Sequence, residues 1–188
     1  MRLNFGTKPW TFPQAVFIIG TYDENGVPDA MNAAWGSIGD DEEIFMCISE
    51  GHKTTKNILL KKEFTVSFGT ADTVEACDFV GLISANYEHN QDKIERSGLT
   101  PVKSQFVDAP EFEQLPVVAA CRLVSYDEKT GHLFGQIINI SIDKNVLDSQ
   151  GKPDVDKMKL ISFDPVNCSY RVLGEQIGKA FEIGKKLR

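Results

Sequence analysis

At 188 residues, with 41% hydrophobic and 25% charged side chains, the chain can bury a sizeable core and calls for no more than one domain. A formal charge of −7 and a pI near 5.0 exclude a nucleic-acid binder, because a phosphate backbone is held by clustered Lys and Arg and Lys185-Lys186 is no such patch. Neither a long apolar segment within Met1 to Trp10 nor any run of about 18 apolar residues occurs, so the expectation is a cytoplasmic protein without membrane contact.

The first element is Ala15 to Tyr22, rich in β-branched and aromatic residues and closed by Asp23-Glu24-Asn25-Gly26, whose Asn-Gly pair suits a tight hairpin turn. The returning arm, Pro28 to Ser37, lacks a strong strand pattern. It carries small residues, Asn32 and the exposed-looking Trp35. Small side chains let backbone groups approach a flat ligand, an amide can read its polar edge, and an indole can cover its face. Glu43 to Ser49 follows as a buried strand. Lys53 to Lys61 reads as a helix started by Thr54, and Glu63 to Phe68 as a further strand.

From Thr73 the period changes. Val74, Cys77, Phe79, Val80, Leu82 and Ile83 give one apolar helical face, and Asp92 to Ser97 forms a second short helix stopped by Gly98. Strands return at Val102 to Phe106, Val117 to Tyr126 and His132 to Ile142, the last two joined through Asp127 to Gly131. Val146 to Val155 is polar and turn-rich, and Lys157 to Phe163 is a weak strand or extended segment. The tail, Tyr170 to Leu187, has apolar residues at roughly helical spacing broken by Gly174, Gly178 and Gly184, and reads as a segment that docks on the core or on a partner subunit. Many short strands with one helical insertion indicate a mainly β fold, an antiparallel barrel.

Cys47, Cys77, Cys121 and Cys168 lie far apart, without a C-x-x-C pair or a histidine at zinc-ligand spacing, so no metal site is expected. Cys47 and Cys121 sit in apolar runs and read as buried small hydrophobes. Gly174 to Ala180 fails as a phosphate loop, having too few residues between its glycines and no Ser or Thr after Lys179. There is no G-x-G-x-x-G, G-x-S-x-G or H-E-x-x-H, so no catalytic side chain is assigned and chemistry is left to a bound cofactor. The best anion site is His52-Lys53-Thr54-Thr55-Lys56-Asn57, where hydroxyls and amines meet a helix N-terminus; read alone, a threonine cap with solvated lysines accounts for it as well. Asn32 and Trp35 alone are equally a turn amide and a partly buried ring. Lys93 and His132 alone read as a surface lysine and a strand-end histidine.

Taken together, Val16 to Tyr22, Gly26-x-Pro28-Asp29-Ala30-Met31-Asn32-Ala33-Ala34-Trp35 and Ile48-Ser49-x-x-His52-Lys53-Thr54-Thr55-Lys56-Asn57-Ile58 resemble the flavin reductase-like, FMN-binding split-barrel family, and within it the flavoredoxins. Cys77 to Gly81, Ser97-Gly98-Leu99, Gly131 to Ile137, Phe163-Asp164-Pro165 and Leu173-Gly174 extend the resemblance along nearly the whole chain. Asp29 stands where the family more usually has Asn. The resemblance implies a split β-barrel homodimer with FMN bound non-covalently near the subunit interface. It places Met31, Asn32, Ala33, Ala34 and Trp35 along the isoalloxazine and Ser49, Lys53, Thr54, Thr55 and Asn57 around the ribityl-phosphate, with Lys93, His132 and Phe163 completing the pocket. It further implies an NAD(P)H-dependent flavin oxidoreductase serving a small acceptor, an electron carrier working with a redox partner protein, or an FMN-holding barrel without turnover.

Overall fold

Residues 1–187 are described by a computed structural model of the chain. The first strands are Gln14–Ala15 (β1), Phe17–Tyr22 (β2) and Pro28–Ala33 (β3), with β2 and β3 paired from Phe17↔Ala33 to Tyr22↔Pro28. Their connection is held by Asp23, whose Oδ1 accepts the N–H groups of Asn25 (2.8 Å) and Val27 (2.9 Å), while Gly26 alone takes a left-handed φ of 78°. The turn therefore uses a carboxylate and one glycine instead of an Asn-Gly pair. The returning arm, which shows no strong strand pattern, is nevertheless a strand. Ala30, Met31 and Ala33 are buried along it, and pairing with β2 outweighs its weak propensity.

Gly36–Asp40 (β4) and Glu43–Cys47 (β5) form the next hairpin, followed by helix Lys53–Lys61 (α1), strand Glu63–Phe68 (β6), and helices Val74–Leu82 (α2) and Lys93–Ser97 (α3). A 3₁₀ turn with a reciprocal Thr70–Thr73 capping box leads into α2, and Gly98 ends α3 at φ 75°, as its position in the sequence indicates. The strand expected at Val102 to Phe106 is shorter and starts earlier, at Pro101–Lys103 (β7). There Ser104 turns the chain by donating its N–H to Ala109 O and accepting from Phe106 N, and Pro110–Phe112 (β8) pairs back. Val117–Asp127 (β9) and His132–Ile142 (β10) form a long hairpin.

The remaining elements are a short helix, Val155–Met158 (α4), and strands Ile161–Asp164 (β11) and Ser169–Val172 (β12). Lys157 thus lies in a helix capped by Asp154, and only the latter half of the expected Lys157 to Phe163 segment is a strand. The tail also differs from expectation. Tyr170 belongs to β12, and residues 173–187 are exposed, with Ile177 and Phe181 at 90% and 96%, so of the two expected dockings the one on the chain's own core is not made.

Seven antiparallel strands in the order β3-β2-β6-β9-β10-β5-β4 curl into a half-barrel, and β1-β11-β12 make a smaller sheet. The continuous apolar run at β2 follows from coverage on both faces. Phe17 and Ile19 join Met46, Ile58, Phe64 and Leu133 in the barrel core, whereas Val16 and Ile18 meet Cys77, Val80 and Ile94 of the helical layer. Ile18 and Ile19 are wholly buried, worth about 1.5–3 kcal/mol each. All four cysteines are free. Burial pushes the Cys121 thiol up to about 12 and raises that of Cys77. Cys47, expected to be buried, is only half-covered, and Cys168 is exposed.

Candidate functional site

A cavity of about 780 Å³ opens where β3, the end of β5, the start of α1, the end of α2 and the small sheet converge. It is lined by Met31, Asn32, Ala33, Ala34, Trp35, Ser49, Lys53, Thr54, Lys93 and Phe163. Its wall along β3 is formed by Asp29, Met31, Asn32 and Ala33, and Trp35, 45% exposed, stands at its edge. Three further residues singled out from the sequence do not line it. Thr55 is buried with its hydroxyl donating to Ser49 O (2.8 Å), and Asn57 is buried with Nδ2 donating to Thr21 Oγ1 (3.0 Å), so both bolt α1 to the barrel. His132 is exposed at the start of β10, its ring set edge-on to Phe45 at 5.2 Å.

At one end of the cavity lies the N-terminus of α1. Its N-cap position, His52, makes no side-chain cap, and no acidic residue occupies the first turn. The first helical bond runs from Lys56 N–H to His52 O (3.1 Å), which leaves the preceding amides of Lys53, Thr54 and Thr55 as the helix's free donors. The neighbouring side chains are already engaged. Lys53 Nζ reaches Glu24 Oε2 at 3.3 Å and Asp23 Oδ2 at 3.6 Å. The backbone N–H of Glu24 and then Lys53 hold the Glu24 carboxyl below its usual range. Thr54 Oγ1 does not cap the helix; it donates to Asp29 Oδ2 (2.7 Å).

Asp29 also accepts from Lys93 Nζ (3.1 Å), which donates in addition to Ala30 O (2.6 Å). Both side chains are 4% exposed, so Lys93 is a buried, neutralised cation and not the surface lysine its local sequence suggests. Asp29 is one of the cavity residues that sequence reading left out of the site; its only signal was the departure from the family's more usual Asn.

The opposite wall is built by α2 and β12. Gly81 lets the last turn of α2 close on β3, since a Cβ there would stand 3.0 Å from Asn32 Cβ. Asn32 Nδ2 donates to Cys77 O (3.0 Å) and to Tyr170 Oη (3.2 Å), and Tyr170 Oη donates to Asp78 Oδ1 (2.8 Å). Burial, followed by the bond to Asp78, raises the Tyr170 phenol above its ordinary value, so it remains a donor through neutral pH. His52, the first residue of the expected anion stretch, lines the cavity too, and Cys47, Asp78, the segment Val80 to Ala85 and Tyr170 line it without having been expected there. Tyr170 had a readable signal only in hindsight: Ser169-Tyr170-Arg171-Val172 alternates, but its partner strand is itself weak.

A phosphate-bearing planar ligand fits this donor set. Free amides at an uncapped helix N-terminus suit an anion, and the small-residue wall beside an indole suits a flat ring. The family model for the flavin reductase like domain matches residues 10–157. Flavoredoxin of Desulfovibrio vulgaris (Miyazaki F) superimposes with a TM-score of 0.92 at 31% identity, over 98% of this chain and 100% of that one. Flavoredoxin from Methanosarcina acetivorans matches at a TM-score of 0.88 over the full length of both chains; at 22% identity it speaks for the fold alone. An uncharacterized protein of Aquifex aeolicus (strain VF5) is 24% identical over 158 residues, 79% of each chain. With its half-barrel, its helical insertion and the domain match spanning most of its length, the chain belongs to the flavin reductase-like, FMN-binding family.

Proposed function

We propose that the cavity holds FMN non-covalently and that the protein is a flavin-dependent oxidoreductase. The observation that carries this reading is the uncapped N-terminus of α1 opening into the same cavity as the Met31 to Ala34 wall and the Trp35 indole. The free backbone amides of Lys53 and Thr54, which line the cavity, would receive the phosphate, aided by the helix dipole. Met31 to Ala34 present backbone groups to the edge of the ring, Trp35 shields it from water, and Phe163 closes the far side. When bound, FMN supplies the redox chemistry, taking up a hydride or single electrons and passing them on. The protein contributes position, water exclusion and the local field. The Asp29–Lys93 pair sets that field close to neutral instead of offering a bare cation.

NADH or NADPH is the proposed donor to a small acceptor. The 31% identical flavoredoxin match supports a second reading, an electron carrier reduced by a partner protein. Anaerobic mixing of FMN-loaded protein with NADH, and then with NADPH, separates the two. Rapid loss of the visible flavin absorption supports the reductase, whereas a flavin bleached by dithionite but untouched by either nicotinamide supports the carrier. We also propose a homodimer formed over β4, an edge strand that exposes Ile38 (62%) and follows the exposed Trp35. Sedimentation equilibrium should give twice the chain mass of 20.9 kDa, and a monomer at micromolar concentration would contradict it.

A further inference from the structure

Asn32 projects from β3 toward α2, and both of its amide hydrogens are committed. Cys77 O can only accept, so the nitrogen and not the oxygen of the Asn32 amide must face it. The Asp78 carboxylate likewise accepts from Tyr170, which leaves the lone pairs of the phenol to receive the second Asn32 hydrogen. The direction of the chain is thereby set: Asn32 donates to Tyr170, and Tyr170 donates to Asp78. The polar atom of Asn32 that remains uncommitted is Oδ1, on a residue lining the cavity.

The three residues come from three separate elements, β3, α2 and β12, so the chain ties the small sheet to the barrel wall across the site. Tyr170 also packs against Phe163, with ring centres 6.0 Å apart. Gly81 lacks a Cβ that would press on Asn32 Cβ at 3.0 Å. A merely structural hydrogen bond would not need the amide nitrogen locked by two acceptors at a cavity face.

We infer that Tyr170 and Asp78 are positioning residues that clamp the Asn32 amide with its oxygen turned toward the flavin ring. The inference rests on the flavin reading of the cavity. An amide oxygen held in this way selects a ligand edge that carries an N–H and disfavours one that carries only acceptors, because an unpaired acceptor facing another acceptor is costly when buried. The clamp acts on the ring and not on the phosphate, so its loss should weaken FMN and riboflavin equally.

The test is equilibrium titration of the full chain with FMN and with riboflavin, alongside the thermal midpoint of the flavin-free protein. Tyr170→Phe keeps the packing on Phe163 and removes the hydroxyl. It should raise both dissociation constants about tenfold while leaving the flavin-free midpoint within a few degrees of wild type. Asp78→Asn retains an acceptor for the phenol and should bind both flavins nearly as wild type does. Asp78→Leu should resemble Tyr170→Phe and gives an independent reading if that variant folds poorly. Unchanged binding by Tyr170→Phe and Asp78→Leu overturns the clamp, as does a loss confined to FMN. If wild-type protein takes up neither flavin, the flavin reading itself fails and the clamp with it.

Discussion

Asp29→Ala should cost about 3–5 kcal/mol of folding stability, because it strands the buried Lys93 ammonium without its carboxylate. The pair is 3.1 Å apart and both side chains are 4% exposed, so neither charge can recover hydration without opening the wall. The substitution also removes the acceptor of the Thr54 hydroxyl, which is itself 2% exposed. Lys93→Met should cost a similar amount by leaving Asp29 charged and buried, with Thr54 as its remaining donor. The double variant Asp29→Ala with Lys93→Met removes both charges together, and its loss of stability should be well below the sum of the two single losses. Urea denaturation followed by circular dichroism gives the comparison. Additive losses across the cycle would show that the two side chains are not energetically coupled, and that the buried geometry contributes little.

Lys53→Glu should weaken FMN binding roughly ten- to thirtyfold, about 1.4–2 kcal/mol, while changing riboflavin affinity by no more than about twofold. Lys53 opens the first turn of α1 and lines the cavity. A glutamate there replaces a cation with an anion beside a phosphate that carries about −1.5 to −2 charge at neutral pH, and the effect is held below the bare Coulomb value by solvent. Lys53 is already shared with Asp23 and Glu24, which lowers what its own charge contributes. The difference between the two flavins should shrink as salt is raised, since the interaction is near the surface. Equal weakening of FMN and riboflavin would mean that Lys53 acts on the ring or the fold, and the phosphate would then have to lie elsewhere.

The parts of the fold that were legible in the sequence are those whose pattern is local. The β2 run, the α2 face with Val80 buried, the Gly98 stop and the β10 span all follow from nearest-neighbour chemistry. Pro28–Ala33 reads as the returning arm of a hairpin but without a strong strand pattern, and Ser169–Val172 does not read as a strand, because each owes its conformation to a partner: β2 for the first, and β11 for the second. The Tyr22 to Pro28 turn was placed correctly but for the wrong reason, since Asp23 closes it by accepting two backbone hydrogens.

The cavity was legible only through the family resemblance. Met31 to Trp35, Ser49, Lys53-Thr54, Lys93 and Phe163 come from five places in the chain, and no local rule brings them together. Sequence could not show which of these side chains are already engaged. Thr54 and Lys93 spend their donors on Asp29, and Asn57 spends its amide on Thr21, so the side chains expected to greet a ligand largely hold the wall instead. What the helix leaves free is backbone, and backbone donors carry no residue signature. Tyr170 and Asp78 escaped notice for a similar reason: they meet only after β12 has folded against β11.

The central claim is tested most directly by equilibrium titration of the purified, flavin-free protein with FMN, followed by flavin fluorescence quenching and the visible spectrum. The cavity geometry predicts saturable binding at one FMN per chain with a perturbed flavin absorption band, and weaker binding of riboflavin, which lacks the phosphate that the α1 amides receive. A protein that neither quenches nor perturbs FMN at any concentration up to millimolar would contradict the assignment.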